Sequence, residues 1–480
     1  MGRVIIAAAG SGSGKTLITC GLMQCLVEEK KPVRAYKCGP DYIDPMFHRK
    51  VIGIPSENLD SFFCSKAQLN RLLGYGQDQD ISIIEGVMGI YDGLGGISQK
   101  GSTYDIACMT DTPVILVLNA HGMGRTVISV IKGITGDDKE GLIKGVILNN
   151  ISKGYYSTIA PVIEEETGID VVGYLPKLTG INIESRHLGL MLPGEIEDLH
   201  TQLARLSQAV RDSIDIDCVV KIADAAGEIQ GDNTGADCVS IEAAGADDKK
   251  GENTDNNGDN DKTGAGGTDK NTGKNSNVTI AVASDEVFCF IYEDNLRMLR
   301  ETGVKVIFFS PLHDKSLPDG ISGIYIPGGY PELRLAELCA NDSMRRSIYN
   351  AISSNMPVIA ECGGFMYLHD SITGEDGTTY KMVGVIDGNC YNTGKLVRFG
   401  YVDLQINGEC IKGHEFHYYD STAPGSDCVA VKPSVQNAKS WEYGYARKDR
   451  ILGYPHMYFA SCGKLISDWV QSVKDYHKNL

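Results

Sequence analysis

Val4-Ile5-Ile6-Ala7-Ala8-Ala9-Gly10-Ser11-Gly12-Ser13-Gly14-Lys15-Thr16-Leu17-Ile18-Thr19-Cys20 decides the fold of this chain. A short apolar run, a glycine-rich turn ending in Lys-Thr and a helical pattern follow one another without a break. This is a phosphate loop of the G-x-x-x-x-G-K-[ST] type between a strand and a helix, with Ala9 where the first glycine usually stands. The glycines let successive backbone N–H groups point at phosphate oxygens, and the following helix N-terminus adds its dipole. Lys15 supplies charge to the outer phosphates, and the Thr16 hydroxyl can ligate Mg²⁺.

Working outward, Ile81–Ile84, Pro113–Leu118 and Gly145–Asn149 are further apolar runs separated by helical patterns. Near-continuous apolar strands alternating with helices predict a parallel sheet covered on both faces. From Ala244 to Asn277 the sequence holds no Val, Ile, Leu, Met or aromatic residue. Such a segment cannot bury enough apolar surface to offset the entropy of ordering, so a flexible low-complexity linker is expected over 223–277. The apolar runs restart at Val278–Ala283, Val304–Phe309, Gly323–Pro327 and Pro357–Ala360. The expected architecture is α/β throughout: a P-loop parallel-sheet domain over 1–222 and a second α/β domain over 278–480.

Composition removes several functional classes. The 480 residues carry 45 Lys+Arg against 62 Asp+Glu, a net charge of −17. A polyanion would be repelled unless a local basic patch overcame that balance, and no Lys/Arg run provides one, so neither nucleic acid nor an anionic membrane is an expected partner. There is no apolar stretch of about 18 residues to span a bilayer. The N-terminus enters the first strand directly, with no signal architecture, and the 14 cysteines lack paired CxxC spacing. A reduced, cytoplasmic protein is expected.

Two regions carry further chemistry. In the first half, Glu85 ends an apolar strand, where an isolated carboxylate needs a partner such as a magnesium ion. Lys37-Cys38-Gly39-Pro40-Asp41-Tyr42-Ile43-Asp44-Pro45 is a loop with a lysine, a tyrosine and two carboxylates, and Asp41 and Asp44 read equally well as turn residues. In the second half, Pro357–Ala360 leads through Glu361-Cys362-Gly363-Gly364 into a helical pattern. A sharp elbow of this kind exposes a nucleophile at a helix N-terminus, which lowers a thiol's pKa and offers backbone N–H groups to an oxyanion. A base is also required. His456 and the pair His414 and His417 are the candidates, and the latter lack the H-E-x-x-H register of zinc peptidases.

Taken together, the phosphate loop, K-x-G-P-D-Y-I-D-P, E-G-V-M-G-x-Y-D-G, P-G-G-Y-P-E, E-C-G-G-F-M-Y-L and G-H-E-F-H-Y resemble the cobyrinic acid a,c-diamide synthase family. The resemblance spans both halves and excludes the linker. It implies a dethiobiotin-synthetase-like P-loop ATPase fused to a class I glutamine amidotransferase domain. It further implies an ATP- and glutamine-dependent ligase that amidates the a and c carboxylates of cobyrinic acid through acyl phosphates, in cobalamin biosynthesis. Carried over residue by residue, Gly12, Ser13, Gly14, Lys15 and Thr16 match the ATP loop. Thr16, Asp41 and Glu85 match the magnesium positions. Lys37, Asp41, Tyr42, Asp44 and Asp92 match the substrate-binding positions. Cys362 matches the nucleophile, His456 its base, and Gly328 and Gly329 the oxyanion turn.

The chain departs from the pattern at Tyr458. The family's H-L-H-F reads His456-Met457-Tyr458-Phe459 here, and ordinary class I glutaminases place a Glu at that position. A Cys–His dyad with no identified third group is therefore expected. Hydrogenobyrinic acid or nickel sirohydrochlorin are alternative substrates. A regulatory P-loop ATPase with an inactive second half is the reading from another class, and the intact Cys362 elbow argues against it.

Overall fold

A computed structural model describes residues 2–76, 79–181, 193–229, 278–433 and 438–480, with side chains of the helix Pro193–Arg211 described from residue 198. The first half is built on seven strands: β1 (Gly2–Ala8), β2 (Val33–Cys38), β3 (Ser56–Leu59), β4 (Ile81–Glu85), β5 (Val114–Asn119), β6 (Ile143–Asn149) and β7 (Asp170–Leu175). They form one sheet in the order β3-β2-β4-β1-β5-β6-β7, and every neighbouring pair is parallel. Side chains of β1 alternate between two apolar layers, Ile5 and Ala7 on one face and Val4, Ile6 and Ala8 on the other. Both faces are covered, as continuous apolar strands require. The sequence pattern missed β2, β3 and β7. The Val-Arg-Ala-Tyr-Lys-Cys run of β2 mixes charge with apolar residues because Lys37 is buried to meet a carboxylate rather than exposed.

The second half has a sheet of six strands. Four are β8 (Thr279–Ala283), β9 (Lys305–Phe309), β10 (Gly323–Ile326) and β11 (Val358–Glu361), and the others are Arg450–Gly453 and Tyr445–Arg447. The order is Tyr445–Arg447, Arg450–Gly453, β11, β10, β8, β9, parallel except at the Tyr445–Arg447 edge. Both halves are thus α/β, as expected. Two further sheets, of four and five strands, were not foreseen. The five-stranded sheet contains a long antiparallel hairpin, Arg398–Ile406 with Glu409–His417. Its Val402, Leu404 and Ile406 point into the core, a period-two pattern that the sequence carries openly.

Most of the expected linker, 230–277, lies outside the described residues. Its first residues belong to the first half. The helix Ile216–Asp224 continues past 223, Gly227 N–H donates to the Asp111 carbonyl at 3.1 Å, and Ile229 packs on the core. No helix among the described residues is long and apolar enough to cross a membrane.

The two halves dock through a dense polar and aromatic seam. Arg297 Nη2 lies 2.7 Å from Glu57 Oε1, and Tyr401 Oη donates to Asp60 Oδ2 at 2.8 Å. Cys64 Sγ donates to Tyr458 Oη at 3.4 Å, Arg71 Nη2 sits 3.3 Å from Asp294 Oδ1, and Gln68 Nε2 donates to the Ala460 carbonyl at 2.8 Å. The Phe63 and Tyr458 rings stack at 5.1 Å between these contacts.

Candidate active site

The phosphate loop joins β1 to the helix Lys15–Glu28. No side chain caps that helix. Its N-cap is Gly14 at φ 88, so the first-turn N–H groups are left for an anion. A methyl group at Gly14 would overlap the Asn149 amide, whose Nδ2 donates to the Ser13 carbonyl at 2.9 Å. The backbone there is therefore restricted to glycine on two counts. Ser13 Oγ closes the turn on the Gly10 carbonyl at 2.8 Å, and Lys15 Nζ rests on the Met88 carbonyl at 2.9 Å. Burial and the nearby Lys37 bring the Lys15 ammonium down to about 8.

Register places the charged groups. Lys37 on β2 is the direct neighbour of Glu85 on β4, both at the carboxyl ends of their strands. Glu85 is fully buried. Its Oε1 accepts from Thr16 Oγ1 at 2.5 Å and from Lys37 Nζ at 2.9 Å, and its Oε2 lies 3.4 Å from His48 Nε2 without a hydrogen bond. Burial opposes ionisation of Glu85, but Lys37 and the groups bonded to the carboxylate outweigh it and hold it below the usual carboxylate range. Lys37 also contacts Asp44 Oδ2 at 2.5 Å. Burial opposes the Lys37 charge, but Glu85, Asp44 and Asp41 outweigh it and keep the ammonium protonated. Burial and the charge of Glu85 push Asp44 up to about 7.

Of the predicted residues, Lys15, Thr16, Lys37, Asp44 and Glu85 are thus brought together. Asp41 is not used in the same way: its Oδ1 accepts from the N–H groups of Ile43 and Asp44, at 2.8 and 3.2 Å. Asp92 is likewise engaged locally, accepting from Gly89 N–H at 2.9 Å. No cluster of three His, Cys, Asp or Glu side chains suited to a metal occurs among the described residues. The unpartnered Glu85 Oε2 beside the Thr16 hydroxyl nonetheless fits a cation that takes its remaining oxygens from phosphate and water. His48 and Asn149 were missed in the sequence. Asn149 ends an apolar strand as Glu85 does, a cue that could have found it.

The second cluster is assembled from the carboxyl ends of three adjacent parallel strands. Cys362 follows β11, Gly328 and Gly329 follow β10, and His456 follows Arg450–Gly453. Cys362 has φ 45 and ψ −108, a conformation a cysteine adopts only under constraint, and its N–H is held by the Gly453 carbonyl at 2.9 Å. A methyl group at Gly328 would overlap His456 Cε1 and approach Cys362 Cβ to 3.3 Å, so this glycine lies between thiol and imidazole. A methyl group at Gly363 would come within 3.1 Å of Gly329 N, which brings that N–H to the elbow.

The expected lowering of the thiol pKa is reversed. Burial drives the Cys362 thiol well above its usual value and the charge of Glu332 adds to this, against a single helpful N–H from Gly363. The helix it caps is only Gly363–Tyr367, too short to offset desolvation. Burial also takes the His456 imidazole well below its usual value, with His414 and His417 acting in the same direction. Both directions favour the neutral thiol and the neutral imidazole.

Tyr458 does not orient His456. It turns into the seam toward Asp294, and its hydroxyl accepts from Cys64 Sγ at 3.4 Å. His456 Nδ1 has no hydrogen-bond partner among the described residues, and the ring is held by aromatic packing. His414 stacks on it at 4.9 Å and 18°, with Phe290 6.1 Å away. The remaining wall comes from the other half. The Tyr42 ring, 7% exposed, lies 5.3 Å from His456, stacks on Phe290 at 4.9 Å and 4°, and contacts Tyr292 at 4.6 Å. A single residue, Ile43, separates Tyr42 from Asp44, so one loop spans from the thiol site to the phosphate site.

Comparison with known proteins agrees with both halves. Residues 4–190 match the model of the CobQ/CobB/MinD/ParA nucleotide binding domain, and residues 279–463 that of the CobB/CobQ-like glutamine amidotransferase domain. Cobyrinate a,c-diamide synthase of Listeria monocytogenes is 36% identical, covering 96% of each chain. The proteins of that name from Caldanaerobacter subterraneus and Priestia megaterium are 37% and 35% identical, covering 94% of both chains in the first case and 98% and 97% in the second. Among solved structures, the MinD cell division protein of Aquifex aeolicus aligns over 46% of this chain and 97% of its own at 13% identity and a TM-score of 0.30, too slight a likeness to bear on function. The chain belongs to the cobyrinate a,c-diamide synthase family, the ATP-dependent glutamine amidotransferase ligases of cobalamin biosynthesis.

Proposed function

We propose that this chain amidates the a and c carboxylates of cobyrinic acid, using glutamine as nitrogen donor and activating each acid as an acyl phosphate. On this reading residues 1–222, extended to 229 by the packing described above, are the synthetase half. Residues 278–480 are the glutaminase half. The observation that carries the proposal is the loop 41–44. Its Tyr42 ring walls the thiol site while its Asp44 is bonded to Lys37 beside Glu85 and Thr16.

Amide formation from a free carboxylate is uphill in water, so the acid needs a leaving group. The substrate carboxylate attacks the γ-phosphorus of ATP, ADP departs, and the acyl phosphate forms. Lys15 and the first-turn N–H groups offset the charge on the phosphates during that transfer. Thr16 and Glu85 would hold Mg²⁺, which would supply further charge neutralisation when bound. In the other half, Cys362 passes its proton to His456 and attacks the glutamine amide carbon. His456 returns the proton to the departing nitrogen, ammonia leaves, and water releases glutamate from the thioester. The N–H of Gly329 supports the tetrahedral oxyanion. Ammonia then displaces phosphate from the acyl phosphate. Water protonates ammonia at neutral pH, so the short route along the loop 41–44 keeps the nucleophile competent.

The test uses purified protein, cobyrinic acid, ATP and glutamine labelled with ¹⁵N in its amide. The proposal expects two labelled amides per macrocycle and one ADP for each. Labelled amide without ATP consumption, or ATP consumption without labelled product, would contradict it.

A further inference from the structure

The hairpin Arg398–Ile406/Glu409–His417 turns Val402, Leu404 and Ile406 into the core and presents its other face to the synthetase half. Along that face the register pairs Asp403 with Lys412, Tyr401 with His414, and Phe399 with Phe416. The first two rungs are docked. Lys412 Nζ donates to the Phe62 carbonyl at 2.5 Å, Tyr401 bonds Asp60 and packs on Phe62 at 4.6 Å, and His414 lies 5.7 Å from Tyr42. The third rung has no such cover among the described residues. Phe399 is 60% exposed and Phe416 52%, their rings 5.8 Å apart, and Tyr418, 46% exposed, continues the strip 5.9 Å from Phe416.

This strip starts where the seam between the halves ends. At about 3.3 Å per residue, Phe399 is roughly 7 Å along the strand from Tyr401. Tyr401 itself abuts the loop that carries Asp41 and Asp44, since a methyl group at Gly39 would lie 3.7 Å from its hydroxyl. Three clustered exposed aromatic rings are costly in water and mark a binding surface. The segment is also cationic. Lys395 and Arg398 precede Phe399 in sequence, and Lys432 Nζ donates to the carbonyls of Phe399 and Tyr401. Arg398 and Lys432 both lie over the Trp441 ring, at 4.8 and 5.9 Å. In a chain of net charge −17 the fold thus assembles a local basic group that no run in the sequence provides.

We propose that Phe399, Phe416 and Tyr418 form the platform on which the tetrapyrrole macrocycle lies, with Lys395, Arg398 and Lys432 facing its carboxylates. The inference rests on the proposed function and adds the place where the substrate's body binds. A flat apolar ring system with a rim of acids matches an aromatic face bordered by cations. A macrocycle seated there has its edge at the loop 41–44, where one side-chain acid can reach the phosphate site while the others remain on the rim.

The test compares full-length wild type with a Phe399→Ala/Phe416→Ala double variant, a Phe399→Tyr/Phe416→Tyr variant, and Tyr349→Ala as an exposed aromatic control on the helix Asp342–Ser353. Cobyrinic acid is the probe, in ultrafiltration binding and in steady-state amidation. The double alanine variant should raise KM and Kd for cobyrinic acid about tenfold or more, roughly 1.4 kcal/mol, with KM for ATP and glutamine moved by less than about twofold. The tyrosine pair should restore binding, and Tyr349→Ala should match wild type. An unchanged KM for cobyrinic acid in the double alanine variant overturns the platform alone. Wild type that neither binds nor amidates cobyrinic acid overturns the functional reading, and the platform with it. Self-association that the double alanine variant abolishes, with KM unchanged, assigns the patch to a second copy of the chain and also overturns the platform.

Discussion

Replacing Tyr42 by alanine removes a side chain of the first half that packs on His456, the proposed glutaminase base. The ring is almost wholly buried and packs against Phe290, Tyr292, His414 and His456. Truncating a buried aromatic typically costs about 3–5 kcal/mol, and a half-domain of this size loses roughly 2–4 °C of melting temperature per kcal/mol. The chemical effect is separate. His456 Nδ1 has no hydrogen-bond partner among the described residues, so the rings packed on the imidazole contribute to its orientation, and a displacement on the order of 1 Å costs a reaction about 100-fold. Tyr42→Ala should therefore melt earlier and hydrolyse glutamine with kcat lowered by about two orders of magnitude, even without ATP or tetrapyrrole. Tyr42→Phe keeps the ring contacts and loses only the hydroxyl, so its glutaminase kcat should stay near wild type. The assays are scanning fluorimetry and glutamate release. A Tyr42→Ala variant that releases glutamate at the wild-type rate and melts at the wild-type temperature would refute the cross-domain wall.

Two other outcomes follow from the geometry. Burial holds Lys15 at about 8 without nucleotide, and phosphate contact favours its charged form, so ATP binding should take up a proton and KM for ATP should rise as pH climbs through about 8. Calorimetry in buffers of different ionisation heat measures the proton, and Lys15→Ala should abolish amidation, spare glutamine hydrolysis and remove the uptake; no uptake in wild type would contradict the assignment. Gly328→Ala should eliminate glutaminase activity while leaving ammonium-driven amidation, because the methyl overlaps His456 Cε1; normal glutamate release from that variant would mean the imidazole sits elsewhere during turnover.

The legible parts of this protein are those written contiguously in the chain. Strand, glycines and Lys15-Thr16 stand side by side, and the Cys362 elbow is likewise a single stretch. Glu85 was readable because a carboxylate ending an apolar strand needs an explanation. The seam was not readable. Tyr42, Phe290, Tyr292, His414 and His456 meet only after both halves fold, and no motif in the sequence shows that they pack on one another. Asp41 and Asp44 looked equivalent in the loop, yet only Asp44 reaches Lys37, because Asp41 is spent on the first N–H groups of the turn. The thiol pKa went the opposite way because a helix-terminus argument counts dipole and omits desolvation, and Cys362 is buried. The antiparallel hairpin was missed for a simpler reason. Its alternating Val402, Leu404 and Ile406 are a clear strand pattern, overshadowed by the longer apolar runs before it.

The central claim is a division of labour, with ammonia made at Cys362 and consumed at the phosphate loop. The direct measurement is amidation of cobyrinic acid by Cys362→Ser, with ATP and either glutamine or concentrated ammonium at alkaline pH as nitrogen source. A serine hydroxyl beside a neutral imidazole does not replace the thiol, so glutamine-driven amidation should fall by several orders of magnitude. Free ammonia bypasses that step, so the ammonium-driven rate should match wild type under the same conditions. Loss of both activities in the folded variant, or glutamine use at the wild-type rate, would contradict the account.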